Sequence, residues 1–467
     1  MKIIQAVGWY FPESIGGSEI YVAGLSQRLK AAGHDVLIAA PFTADDPAKT
    51  GERFYHHDGS PVFRYPIPAA PTREEAQGRR IVRGAERFHR WLAAEKPDVV
   101  HFHSFVTGMG IAELKAAKST GARIIVTCHT SGLGFICQRG SMMQWGETLC
   151  DGVCRPAKCA ACELQHRGLS KQAATLVGNI PPVIGRIGQA LPGKLGTAMG
   201  MSDLIVRNQI AQRELLETAD KFVLLTEWAL KAVVANGAPR EKLALNRLGV
   251  SWKDSFSPTK AHEENTKGGE NSGFLPASSC DFVDKFSSVK FGYLGRFEAI
   301  KGVMDFACAV ASLPEYLPFR VEFRGPVKND TEQALLNDIK KLIGNRPNVS
   351  FAPAVSAEDV PAVLAGYDVL CCPSLCLEGG PTVAIEAHAV GTPVIGTAIG
   401  GLAELVTDGF NGRLVKPGDW RALAEVLKQI AYDPQATIGR WRTALSAVRT
   451  MDEIASDYQA LYSGRDH

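Results

Sequence analysis

The chain has 467 residues, enough for two or three domains each with a core of its own. Hydrophobic residues make up 45% and charged residues 21%, the balance of a soluble globular protein, which excludes a disordered or fibrous class. With 51 basic against 49 acidic residues the formal net charge is +2, so there is no global electrostatic case for a nucleic-acid partner, and any basic surface is local.

The opening run MKIIQAVGWYF is apolar with one positive charge, but it is short, lacks a small-x-small cleavage site and leads straight into Gly16-Gly17-Ser18-Glu19. It reads as a first buried strand, Lys2 to Val7, and not as a secretion signal. Ser18 to Ala32 predicts a helix with Tyr21, Leu25, Leu29 and Ala32 on one stripe, and Val36 to Ala40 the next strand. Gly16 and Gly17 fall at the carboxyl end of the first strand, where a βαβ unit places a ligand; the alternative is a turn required by chain geometry. Asp98 to His103 and Arg123 to His129 are further strands that end in histidines, which a parallel sheet would point into a cleft. His101 and His103 are read as facing opposite ways along their strand, with His103 the one toward the cleft. No run of eighteen apolar residues occurs, so no transmembrane helix is expected and a cytoplasmic location follows. There, eleven cysteines read as thiols or metal ligands, not as a disulfide framework.

Five of those cysteines, Cys137, Cys150, Cys154, Cys159 and Cys162, are spaced C-x12-C-x3-C-x4-C-x2-C. Four clustered thiolates can close a tetrahedral zinc site or hold an iron–sulfur cluster; the alternative is a set of unligated loop thiols. Leu169 to Met201 follows, apolar but broken by glycines and prolines, with Lys171, Arg186 and Lys194 as its charges. It reads either as an interfacial or acceptor-binding surface able to meet anionic lipid, or as a helical pair packed on its own domain. A helix from Asp203 to Thr218, a strand from Lys221 to Leu225, a helix from Glu227 to Asn236 and a strand from Leu243 to Val250 complete the first half. Residues 257 to 281, rich in Ser, Gly, Asn, Glu and Lys without periodicity, read as a linker.

The second half opens with the strand Val289 to Leu294 and the turn Gly295-Arg296-Phe297-Glu298-Ala299-Ile300-Lys301-Gly302, a basic turn between strand and helix. Further strands are expected at Arg320 to Arg324, Val349 to Phe351, Val369 to Cys372 and Thr392 to Gly396, with helices between and another at Asp419 to Ala431. The most informative stretch is Cys376 to Pro417. Its glycine-rich loop (Glu378, Gly379, Gly380) leads into a helix opened by Pro381 and Thr382, and a second carboxylate, Glu386, stands one turn inside. A helix N-terminus behind glycines is a phosphate cradle. Carboxylates beside it suit hydroxyl donors, so the combination suggests a nucleotide sugar.

The ordered series Glu378 to Glu386, Gly391-Thr392-Pro393-Val394-Ile395 and Gly400-Gly401-x-x-Glu404 resembles the signature of the retaining glycosyltransferases of family four. The resemblance implies a GT-B fold, an α/β architecture of two Rossmann-like parallel-sheet domains facing across a cleft. It places an acceptor-side domain at 1–250 with an insertion near 131–205, a linker at 251–287, a nucleotide-sugar-binding domain at 288–450, and a terminal helix at 451–467 that packs back on the first domain. It implies transfer of a sugar from a nucleoside-diphosphate sugar to a sugar or lipid-linked acceptor, with peripheral membrane contact at the inner face. Arg296 and Lys301 would meet the donor diphosphate, Gly16 and Gly17 the cleft, Glu378 the sugar hydroxyls, Glu386 the ribose diol and His129 the donor sugar. No catalytic metal is implied, and no Asp-x-Asp motif is present. A similar insertion in some relatives implies Cys137, Cys150, Cys159 and Cys162 as ligands of a structural metal, with Cys154 as the alternative.

Overall fold

The computed structural model describes residues 1–129, 132–252, 288–377 and 379–465. Runs such as KIIQA, VVHF and RIIVT are apolar almost without alternation, the pattern of strands buried on both faces of a parallel sheet. They assemble accordingly. The first sheet is built from β1 (Lys2–Ala6), β2 (Asp35–Ala44), β3 (Arg53–His57), β4 (Ser60–Pro68), β5 (Val99–Phe102) and β6 (Arg123–Thr127). After a small ribbon, β7 (Met143–Gln144) with β8 (Thr148–Leu149), β9 (Lys221–Leu224) and β10 (Leu243–Leu245) complete it in the order β10-β9-β6-β5-β1-β2-β4-β3. Only the edge strand β3 runs antiparallel, joined to β4 through Asp58-Gly59, both with positive φ (47° and 71°). That Asp-Gly pair is the turn chemistry a two-residue hairpin needs, and it is the signal that could have found a hairpin the sequence reading did not assign.

The second sheet is parallel throughout: β11 (Val289–Leu294), β12 (Phe319–Arg324), β13 (Val349–Ala352), β14 (Val369–Cys372), β15 (Val394–Thr397) and β16 (Gly412–Val415), ordered β13-β12-β11-β14-β15-β16. The order reverses between β11 and β14, so this doubly wound sheet has a topological switch point there.

Two compact units result, Met1–Ser251 with the chain from Met451 on, and Trp252–Thr450. The expected linker lies almost wholly in residues 253–287, outside the described residues. The terminal helix, Met451–Tyr462, belongs to the first unit because its apolar residues recur at helical spacing. Met451, Ile454, Tyr458 and Leu461 are buried in one cluster with Ile3, Leu25, Ile125 and Val223. The Cys-bearing segment folds onto the helix Pro156–His166, followed by three short helices, Lys171–Gly178, Pro182–Gly188 and Gly193–Met199, and the longer Met201–Thr218. Among the described residues no helix is long and apolar enough to cross a membrane.

Tyr458 is fully buried, and its hydroxyl bonds both Thr127 Oγ1 (2.7 Å) and the Tyr21 hydroxyl (3.2 Å). Tyr458→Ala is expected to cost about 3–5 kcal/mol, as for other large buried side chains. Hydrogen exchange followed by mass spectrometry should then quicken in β1, β5 and β6 and leave β11 to β15 unchanged; equal exchange throughout would contradict this seating of the helix.

Candidate functional site

In the second unit, β11 and β14 are neighbours, so the loops leaving their carboxyl ends start side by side. The turn after β11 carries Arg296 and Lys301 and ends at Gly302, whose φ of +67° begins the helix Val303–Ser312. A Cβ on Gly302 would stand 1.8 Å from the Pro373 carbonyl oxygen, so glycine is required where the two loops meet. The loops are also bonded directly, Leu375 N–H donating to Ile300 O at 2.9 Å, while Thr397 Oγ1 at the end of β15 donates to Ser374 O at 2.7 Å. The cationic turn and the glycine-rich loop are thereby held together at the switch point.

Beyond that junction Gly379 and Gly380 are half-exposed, and Gly380 takes φ +139°, open to glycine and strained for other residues. Pro381 precedes the helix Thr382–Ala389, whose first closing bond runs from Ala384 N–H to Pro381 O (3.0 Å), so the amides before it have no helical partner. Glu386 is half-buried and has no hydrogen-bond or ion-pair partner among the described residues, and burial pushes its carboxyl up to about 7. Beside it in sequence, His388 is buried with Nε2 unpartnered and is pushed down to about 4 by the same loss of solvent. Arg296 is half-exposed and paired with Glu298 at 2.7 Å. Glu378 lies outside the described residues.

The first unit contains a different group. His101 and His103 were expected on opposite faces of β5 and its extension, but their ring centroids are 3.9 Å apart. Residues two apart on a strand share a face, and that periodicity overturns the expectation. His103 Nδ1 lies 3.1 Å from His129 Nε2, and His103 Nε2 lies 2.6 Å from Gln5 Oε1. Gln5 Nε2 donates to the Tyr462 hydroxyl (3.4 Å), which also contacts His101 Nδ1 (2.7 Å). His101 Nε2 reaches Thr127 Oγ1 at 2.7 Å. Burial holds His101 and His103 well below the ordinary histidine range and His129 down to about 4, so all three rings are neutral near pH 7.

Neutrality orders the protons. Gln5 Oε1 can only accept, so His103 carries its proton on Nε2 and accepts at Nδ1. His129 therefore donates from Nε2 and keeps Nδ1 as an acceptor. Gln5, Thr127, Tyr458 and Tyr462 were not singled out by sequence reasoning. The available signal was Gln5 itself, a polar residue inside the apolar run KIIQA that burial obliges to find partners.

Gly16 is extended (φ −144°, ψ −180°) and precedes the helix Gly17–Ala31. A Cβ there would meet Glu19 Oε2 at 2.8 Å, whereas one on Gly17 would meet nothing within 4 Å. Glu19 is buried and accepts from Ser14 (2.6 Å) and Ser18 (2.8 Å), so the turn beside the glycines is closed by its own side chains.

Cys137, Cys150, Cys154, Cys159 and Cys162 do line one small cavity, yet among the described residues no group of three or more His, Cys, Asp or Glu is placed to hold a metal ion. The thiols are taken up individually instead. Cys159 Sγ accepts from Arg155 N–H (3.4 Å), Cys150 Sγ accepts from Lys158 Nζ (3.6 Å) and donates to Asp151 Oδ1 (3.7 Å), and Cys162 Sγ accepts from Trp145 N–H (3.3 Å) and donates to Met143 O (3.8 Å). Cys137 is raised by burial.

A doubly wound parallel sheet in each unit, with a cationic turn and a helix-opening glycine loop at a switch point, defines the class as a GT-B glycosyltransferase. The family described as "Glycosyl transferases group 1" matches residues 286–442, and the "Glycosyl transferase 4-like domain" matches residues 16–187. The chain belongs to the family-four glycosyltransferases. It is 28% identical over 262 residues to a D-inositol 3-phosphate glycosyltransferase of Corynebacterium urealyticum, covering 55% of this chain and 56% of the relative. Against the protein of that description from Pseudarthrobacter chlorophenolicus it is 24% identical over 439 residues, 90% of this chain and 83% of the relative. Among solved structures, sucrose-phosphate synthase from Thermosynechococcus elongatus superposes with TM-score 0.63 at 20% identity, covering 100% of this chain and 99% of the other. Anabaena HepE in complex with UDP and glucose superposes at 0.60 and 15% identity, covering 99% and 100%.

The proton order gives a direct expectation. Long-range 1H–15N correlation of histidine-labelled protein should show His129 with Nε2 protonated and Nδ1 unprotonated from neutral pH down to about 5, one unit above where burial places its titration. In His103→Phe, which removes the acceptor, both tautomers should appear; a protonated Nδ1 in the unaltered protein would contradict the order.

Proposed function

We propose that this protein transfers a sugar from a nucleoside-diphosphate sugar to an acceptor hydroxyl with retention at the anomeric carbon. The observation that carries this reading is Glu386, a half-buried carboxylate without a partner among the described residues, beside the glycine loop to which the Arg296–Lys301 turn is hydrogen-bonded. A carboxylate left unpaired there is suited to accept from the two hydroxyls of a ribose. Arg296, Lys301 and the amides around Gly380 to Thr382 would stabilise the diphosphate as it leaves and gains charge, the largest catalytic contribution such a site can make. Arg supplies a planar fork and Lys a point charge.

In this reading the second unit binds the nucleotide sugar and the first offers the acceptor. Glu378 would hold sugar hydroxyls, and Gly16 and Gly17 would line the route of approach. His129, neutral and accepting at Nδ1, would take a hydrogen bond from a sugar hydroxyl and not serve as an acid. The departing phosphate itself can receive the acceptor proton, so no separate base is assigned. Support for a nucleotide-sugar donor comes from HepE, whose structures hold UDP and UDP-glucose.

Incubation with a panel of radiolabelled nucleotide sugars, with and without lipid-linked acceptors, should yield labelled acceptor from one donor; free sugar alone, or an altered sugar nucleotide, would reject transfer. Glu386→Ala should weaken that donor by about 10- to 100-fold, the loss expected for hydrogen bonds to a charged group. The pH dependence has a definite sign. Burial raises Glu386 to about 7, so the stability of its neutral form is present below the ordinary carboxylate range and is lost as pH rises through about 7. Binding that needs the carboxylate must first remove that proton, so affinity should rise from pH 6 to pH 8 and flatten in Glu386→Gln.

A further inference from the structure

A cavity of about 290 Å³ lies in the first unit between the helix Met201–Thr218, the end of the helix Glu227–Ala235 and the turn that carries Phe135 and Ile136. Its frame is tied by side chains already committed. Asn236 accepts the Cys154 N–H at Oδ1 (2.8 Å) and donates from Nδ2 to Gly152 O and Ala232 O (both 2.7 Å), while Gln209 Nε2 donates to Cys154 O (3.0 Å). Two helices and the cysteine-bearing loop are thus bonded to one another around the space, and the cavity is preformed. Phe135, Ile136 and Leu216 supply its apolar wall. An apolar cavity of roughly 150 Å³ accepts a benzene ring, so this volume takes a ring with a polar substituent and leaves room for water.

Two donors in the lining lack acceptors. Gln212 is 5% exposed, and its Oε1 accepts the Phe135 N–H at 3.3 Å, which fixes the two ends of the amide. Its Nε2 is buried and bonded to nothing among the described residues, a donor that is costly to leave unused. Arg213, next in the chain, is exposed and has no ion-pair or hydrogen-bond partner among the described residues. Both groups only donate, and among the described residues no Asp or Glu lines the cavity. Donors beside an apolar wall, with no acid to answer them, match an anion carried on an apolar body. Charge and shape favour a carboxylate over a phosphate: one unpaired guanidinium balances one negative charge, and its planar fork meets both carboxylate oxygens. Water could satisfy Nε2, but it would leave the apolar wall wet and the guanidinium uncompensated.

We propose that this cavity is a binding site for a small aromatic carboxylate, its ring among Phe135, Ile136 and Leu216 and its carboxylate on Arg213 and Gln212 Nε2. The site lies wholly in the first unit and shares no residue with the Arg296–Lys301 turn or with Glu386, so it stands independently of the sugar-transfer reading.

The test is equilibrium dialysis of the full chain against radiolabelled phenylacetate, with the melting temperature followed in parallel. One phenylacetate per chain should bind saturably with a Kd of about 1 mM or below, as a ring-sized ligand can, and should raise the melting temperature. Phenylethanol, the same body without the charge, should bind about tenfold more weakly. Arg213→Met, at an exposed position, should leave the melting temperature of the free chain unchanged, weaken phenylacetate by about tenfold and abolish the preference over phenylethanol. Gln212→Leu should weaken phenylacetate by about fivefold; if that variant does not fold, Arg213→Met alone decides. No saturable uptake of phenylacetate up to about 10 mM overturns the proposal and makes the cavity a solvent pocket. Equal uptake of phenylethanol by the unaltered chain, or uptake of phenylacetate unmoved by Arg213→Met, overturns it as well.

Discussion

The seating of the terminal helix, Met451–Tyr462, is the constraint on which the first unit depends. The chain leaves that unit at Ser251 and re-enters it at Met451, whose amide bonds the Val250 carbonyl at 2.8 Å. Without the helix, Ile3, Leu25 and Ile125 would lose their cover, and His101 would lose the Tyr462 hydroxyl in a place where unpaired polar groups are costly. Core and histidine row are therefore one assembly: the residues that close the sheet also order the protons of the rings beside it. The last turns of the chain reach, through Tyr462 and Gln5, to His103 and His129.

The second unit solves a different problem. The cationic turn and the glycine loop are anchored by buried residues of their own, Phe297 in the core cluster and Leu377 nearby in the loop, and are further positioned by the sheet and by each other. Pairing of β11 with β14 sets the loops side by side; Gly302 lets them touch, and the Leu375–Ile300 bond fixes their spacing. Glu386 is supplied by the helix that follows, at a depth where solvent is scarce enough to raise its carboxyl. A side chain in larger volume at Gly302 would part the loops, and the cationic turn would no longer adjoin the cradle.

The segment from Cys137 to Met199 departs most from a plain doubly wound unit. Its cysteines gather around one cavity, and its helices turn glycine inward and aliphatic residues outward. Both features break the usual correspondence of composition and burial. In each case the hydrophobic content alone is silent on direction: a Leu in a glycine-rich helix is apolar whether it faces the core or the solvent.

The sequence by itself determined the class of fold, through apolar runs alternating with helical stripes, and singled out the stretch from Glu378 to Glu404 through its ordered glycines, proline and glutamates. Such local patterns are set by backbone conformation, which neighbouring residues control. Tertiary structure alone decided that His101 and His103 share a face with Gln5 and Tyr462, that the five cysteines form no ligand set among the described residues, and that the helices after them present Leu176 and Ile187 to solvent. These depend on partners up to 457 residues apart, as in the Gln5–Tyr462 bond. A contact across that separation leaves no periodicity in the chain, because periodicity records which face a residue occupies and not what will stand opposite it.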